Sequence, residues 1–151
     1  MNPLSWLLPF RWPLEIIAAL AAVLPLLIIL RTWDTLPEQI PVHFGITGRP
    51  DRWGGRWQAW ILPVVALGMY AIFSFITGTW EWILGRQPAL PRGMEPFLFM
   101  KPMMGLMLGY ATLGMVRVAR KEAERLNPWI TYGLVALVIA LAVVAAPTMK
   151  R

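Results

Sequence analysis

The chain has 151 residues, 58% of them hydrophobic and only 15% charged, with a formal net charge of +6 and no cysteine. A water-soluble domain is typically about 25% charged and could not hide that much apolar surface, so lipid is the expected solvent. The missing cysteines exclude disulfides, thiolate metal sites and a cysteine nucleophile, and positive residues placed at the ends of apolar runs point to anionic head groups rather than nucleic acid.

The first apolar run, Leu14 to Leu30, holds eleven Leu, Ile or Val and four Ala. At about −0.5 kcal/mol per large aliphatic, its insertion is favourable by roughly 5 kcal/mol. A span is expected over residues 13–31, with a kink at Pro25. Glu15 is an ionisable group close to lipid, and its expected partner is Arg11, four residues earlier on the same helical face. The residues after the run, Arg31-Thr32-Trp33-Asp34, contain no small-residue cleavage site, so the run reads as a retained span and not a signal peptide.

Residues 32–56 form a connection longer than a turn requires. Pro37 and Pro41 hold the residues before them extended, and Ile40, Val42 and Phe44 alternate with Pro41 and His43 at the period of a strand. Gly45, Gly48, Gly54-Gly55 and Arg49-Pro50-Asp51 supply turns. An ordered loop on the membrane surface, with a short β-hairpin, is expected here.

The run Leu36-Pro37, Ile40-Pro41-Val42-His43-Phe44 and Gly48-Arg49-Pro50-Asp51-Arg52-Trp53-Gly54 resembles the membrane domain of unknown function at the N-terminus of bacterial SdpI-type immunity proteins. The motif covers 21 residues, 36–56, and with its flanking helices about the first 80. The resemblance implies four or more helical spans, a bacterial cytoplasmic membrane and a signature loop on the outer side. It implies no reaction, and the C-terminal half of a full SdpI-type protein is not found in this chain.

Further spans are expected over residues 57–79, flanked by Trp57, Trp60, Trp80 and Trp82 in an aromatic-belt pattern, over 102–120, and over 129–147. Helical character in the third is expected to run on through Arg120, Lys121, Glu122, Glu124 and Arg125 until Asn127-Pro128 stops it. Pro88-Ala89-Leu90-Pro91 reads as a stiff loop. The result is a single all-α membrane domain of four spans with both ends on one side. Six Lys or Arg on that side (Arg11, Arg86, Arg92, Lys101, Lys150, Arg151) stand against eight on the other, which fixes no orientation.

The candidate binding loop comprises Pro41, His43, Phe44, Gly48, Arg49, Pro50, Asp51, Arg52, Trp53 and Gly54. His43 is the only histidine, and a lone histidine is a poor transition-metal signal even with Asp34, Glu38 and Asp51 near in sequence. Hydrogen bonds to backbone carbonyls are its expected role, and no metal or cofactor is expected. Asp51 with Arg49, Arg52 and Arg56 reads as a surface pair closing the loop or as a cluster for an anionic head group or peptide. Gly105, Gly109 and Gly114 give one helix a lean face, for packing within the bundle or against another chain. Met100, Met103, Met104 and Met107 read as packing or lipid-facing residues. Arg117, Arg120, Lys121 and Arg125 form a basic helix end suited to lipid head groups.

No Gly-x-Ser-x-Gly elbow, His-Glu-x-x-His or phosphate-cradling loop occurs. The expected role is therefore non-catalytic: binding or sensing through loop 32–56, in a context of envelope stress or peptide-toxin tolerance, with membrane lipids and a protein partner or a second copy as partners. The alternatives are an accessory subunit of a larger membrane complex, and a metal- or proton-dependent membrane enzyme or transporter using His43.

Overall fold

The computed structural model describes residues 11–77 and 95–145. The Pro88–Pro91 piece, Trp80, Trp82 and the basic tail Lys150-Arg151 lie outside them. Helix α1 (Arg11–Thr32) leads through a 3-10 turn (Trp33–Thr35) into strand β1 (Gln39–Phe44), which pairs antiparallel with β2 (Pro50–Gly55). A second 3-10 turn (Arg56–Trp60) opens α2 (Ile61–Ile76), followed by α3 (Glu95–Ala119) and α4 (Pro128–Ala145).

Among the described residues, three helical segments are long and apolar enough to cross a bilayer: Arg11–Thr35, Arg56–Ile76 and Leu98–Ala119. At 1.5 Å per residue, about 20 residues cover the roughly 30 Å hydrocarbon core. Their outward faces carry Leu20, Leu30, Val64, Ile72 and Phe75, apolar residues that water would not tolerate in such number.

Helix α3 packs along α1, α2 leans on both, and α4 packs chiefly on α3. The α1–α3 approach is close because glycine faces alanine. A Cβ on Gly105 would come within 2.7 Å of the Ala21 backbone, and one on Gly109 within 2.7 Å of the Leu24 side chain. The lean face of α3 is thus turned inward over much of its length.

One expectation for α3 is corrected. The described helix runs from Glu95 with Pro102 within it, and it stops at Ala119 instead of running on to Arg125. Lys121 adopts φ 60°, and Lys121 N–H donates to the Val118 carbonyl and Glu122 N–H to the Arg117 carbonyl. Those two bonds form a Schellman cap, which overrides the good helix propensity of the charged residues that follow. Asn127 then starts α4: its side-chain oxygen accepts from Trp129 N–H at 3.1 Å, with Pro128 at the first helical position.

Candidate functional site

The hairpin follows from the sequence by short steps. Gly48 takes φ +76°, its N–H donates to the Gly45 carbonyl (2.8 Å), and Gly45 N–H donates to the Arg49 carbonyl (2.9 Å), closing the tip. At the base, Arg56 N–H donates to the Glu38 carbonyl (2.8 Å). The register runs from Gln39 opposite Gly55 to Phe44 opposite Pro50, with Val42 and Asp51 each left over as an extra residue. In an undistorted ladder, successive side chains alternate faces. The slip at Asp51 frees that carboxylate to reach His43, whose Nδ1 lies 2.6 Å from Asp51 Oδ1.

The hairpin is seated firmly. Ile40 and Leu36 are buried with Ile29 of α1, Ala59, and Met115, Val116 and Ala119 of α3. Pro41 is buried, while Val42 and Phe44 pack at the edge of that cluster. The tip is tied to the turn between α3 and α4: Leu126 N–H donates to the Gly48 carbonyl (2.8 Å), and the Tyr132 hydroxyl donates to the Ile46 carbonyl. The Leu126 side chain fills the space left by Gly114, where any Cβ would overlap it. Tyr110 adds a further tie, accepting from Asn127 N–H at 3.0 Å. Arg56 stacks over Trp33 at 4.7 Å, and Trp33 lies 4.9 Å from Trp57 and 5.5 Å from Trp60. Tryptophans grouped beside a basic residue at the end of apolar helices match the membrane–water boundary.

Pointing outward are His43, Ile46, Arg49, Asp51, Arg52 and Trp53, all exposed. His43 is therefore held by a carboxylate and not by backbone carbonyls, which corrects its expected partner. Among the described residues Asp51 pairs with no arginine, Arg56 is committed to Trp33, and no group of three His, Asp or Glu gathers for a metal. Gly54 approaches Gln58 and Val42 closely. At the other basic segment, Arg120 pairs with Glu122 (3.0 Å), and Arg117, Lys121 and Arg125 are exposed.

Residues 20–67 match a domain of unknown function, DUF1648. This stretch carries a DUF1648 domain. The match takes in most of α1, the whole hairpin and the start of α2, and DUF1648 is found in SdpI-type proteins. An uncharacterised protein of Archaeoglobus fulgidus is 42% identical over 59 residues, covering 39% of this chain and 32% of the relative. The shared part is thus about a third of the relative's length. No solved structure matches the chain. The DUF1648 segment supplies all of the exposed hairpin residues, whereas their anchor, Leu126 with Gly114, lies outside it.

At the opposite end of the bundle lies a second polar constellation. Glu15 (7% exposed) forms an ion pair with Lys101 (4% exposed). The other carboxylate oxygen, Oε1, accepts from the Tyr70 hydroxyl at 2.9 Å and the Ser74 hydroxyl at 3.3 Å. Lys101 Nζ also donates to Thr77 Oγ1 (3.3 Å), and the Arg11 guanidinium donates to the Thr77 carbonyl (3.2 Å). Two expectations are corrected here. The carboxylate is joined to α2 and α3, not to Arg11, and Lys101 sits inside the bundle instead of flanking a span at the head groups. Tyr70, Ser74 and Thr77 carry the signal that would have revealed the cluster. Their spacing of four and three places them on one stripe of an otherwise apolar helix.

Proposed function

We propose that this chain is a non-catalytic, multi-pass protein of the cytoplasmic membrane that presents the hairpin of its DUF1648 domain as a recognition surface for a protein partner. In this reading α4 is the fourth span, its 18 residues covering about 27 Å. The observation that carries the proposal is the contrast between the hairpin's two sides. One side is buried against three elements of the bundle, and the other displays His43, Arg49, Asp51, Arg52 and Trp53 on a frame that does not need them for its own packing. Exposed polar and aromatic residues on a rigid loop support recognition better than they support stability. The occurrence of DUF1648 in SdpI-type proteins supports peptide-toxin tolerance as the setting.

The test is affinity capture of the full chain from its native membranes in mild detergent, wild type against the triple variant Arg49→Ala, Arg52→Ala, Trp53→Ala. A stoichiometric partner held by the wild type and lost from the folded variant is expected. A partner held equally by both would refute the hairpin's role. A second reading, an accessory subunit of a larger complex, is favoured by α4, where Ile130, Val135, Leu137, Ile139 and Val143 are all exposed. Capture that survives the hairpin substitutions but is lost with substitutions on α4 would select it.

A further inference from the structure

The hairpin tip and the turn between α3 and α4 meet in a way that recognition of a protein partner does not explain. Leu126 N–H donates to the Gly48 carbonyl at 2.8 Å. Arg49 follows Gly48 and Arg125 precedes Leu126, so each arginine stands one residue, about 3.8 Å of backbone, from that bond. Both are exposed. The fold thus fastens together two like charges from segments far apart in the chain.

No carboxylate offsets them. Among the described residues, the ion pairs at this end of the molecule join His43 to Asp51 and Arg120 to Glu122, and neither Arg49 nor Arg125 takes part in one. Glu124, beside Arg125 in the chain, is exposed and makes none either. Like charges held close repel, and an anion set between them replaces that repulsion with attraction.

The residues on the helix side of the bond are apolar or aromatic. Ile46 is 84% exposed at the hairpin tip, an odd place for an aliphatic side chain in water, and Trp129 is 80% exposed in the first turn of α4. Tyr132 joins the two: its hydroxyl donates to the Ile46 carbonyl, and its ring meets Trp129 edge-on with centroids 6.5 Å apart. Helix α3, which ends at Ala119, is long and apolar enough to cross a bilayer. The turn that follows it therefore lies at the boundary where tryptophan and tyrosine collect and where basic side chains face lipid phosphates.

We propose that the seam between the hairpin tip and the α3–α4 turn is a binding site for the phosphate of an anionic phospholipid. Arg49 and Arg125 hold the phosphate through their guanidinium forks, which match its oxygens two at a time. Ile46, Trp129 and Tyr132 line the path of the glycerol and the upper acyl chain. That apolar lining, continued along the exposed apolar residues of α4, favours a lipid over an acidic peptide. The bond between Gly48 and Leu126 sets the spacing of the arginine backbones before any lipid arrives, so less ordering opposes binding.

The experiment uses the full chain in a neutral detergent, with retained lipid counted by native mass spectrometry. Wild type should hold one phosphatidylglycerol at least tenfold more tightly than phosphatidylcholine. A basic group beside an anionic lipid is worth about fivefold, so Arg49→Gln with Arg125→Gln should weaken phosphatidylglycerol by about thirtyfold and abolish the preference. Arg52→Gln removes the same charge about 10 Å further along β2 and should leave the preference intact. All three residues are exposed, so each variant should unfold at the wild-type midpoint. Inorganic phosphate at millimolar concentration should not displace the lipid. Equal retention of the two lipids overturns the proposal, as does a loss in Arg52→Gln as large as that in the double variant. Displacement by inorganic phosphate would make the seam a site for a free anion and overturns it too. A double variant that keeps its lipid but loses a captured protein assigns the arginines to an acidic partner, with the same result.

Discussion

Replacing Gly48 by alanine should unfasten the hairpin from the helices. Gly48 sits at φ +76°, where an L side chain costs about 1 kcal/mol or more. A Cβ there would overlap the Leu126 carbonyl, which is backbone and cannot rotate away. Moving Leu126 breaks the bond from its N–H to the Gly48 carbonyl, worth about 1 kcal/mol, and disturbs a side chain set against Gly114, at a typical overpacking cost of 1–3 kcal/mol. The sum is roughly 4 kcal/mol, large beside the 5–15 kcal/mol that holds a typical domain. Gly55→Ala is the control, since nothing lies within 4 Å of its Cβ position and its φ of −68° suits any residue. That variant should stay within about 0.5 kcal/mol of wild type. Denaturant unfolding in mixed micelles measures both, and hydrogen exchange over residues 45–50 and 120–128 shows where protection is lost. Equal stability of the two variants would refute the argument. So would loss of protection at the tip alone, because the tip and the helical turn are held by the same bond.

Other substitutions probe the remaining joints. Lys121→Gly should stabilise the protein by about 1 kcal/mol, measured by the same unfolding assay, because glycine takes the positive φ of the Schellman cap without strain. Asp51→Ala should change stability by less than about 1 kcal/mol, since the His43 and Asp51 side chains are 61% and 52% exposed, yet it should weaken partner capture. Gly105→Leu should force α1 and α3 apart at Ala21 and destabilise by roughly 3 kcal/mol, read as a lower midpoint of thermal unfolding.

Local patterns in the chain account for most of the architecture. Alternation around Ile40–Phe44 and the glycines at 45, 48, 54 and 55 mark a hairpin between two apolar runs, and a two-stranded sheet stands there. The apolar runs yield, among the described residues, three helices long and apolar enough to cross a bilayer. The features that local pattern does not show are contacts between distant residues. Glu15 and Lys101 are 86 positions apart, and nothing in the spacing of either announces the other. Pro102 suggests a helix start because proline is tolerated in a first turn, whereas here the helix runs through it. The end of α3 is equally hidden, because a lysine occupies the position where glycine usually signals the stop. Asp51 meets His43 only because the ladder slips by one residue, and a slip is a property of two strands together.

That slip has a bearing on how the protein survives in a crowded membrane. A ribbon of two strands has bare rims, and bare rims recruit other chains into growing stacks. Here the extra residues at 42 and 51 bend the ribbon, Pro41 and Pro50 offer no amide hydrogen, and charged Arg52 stands along its outer strand. Copies of the chain meeting side by side would find no straight, evenly spaced row of donors to copy, so this end of the molecule can stay uncovered without seeding aggregates.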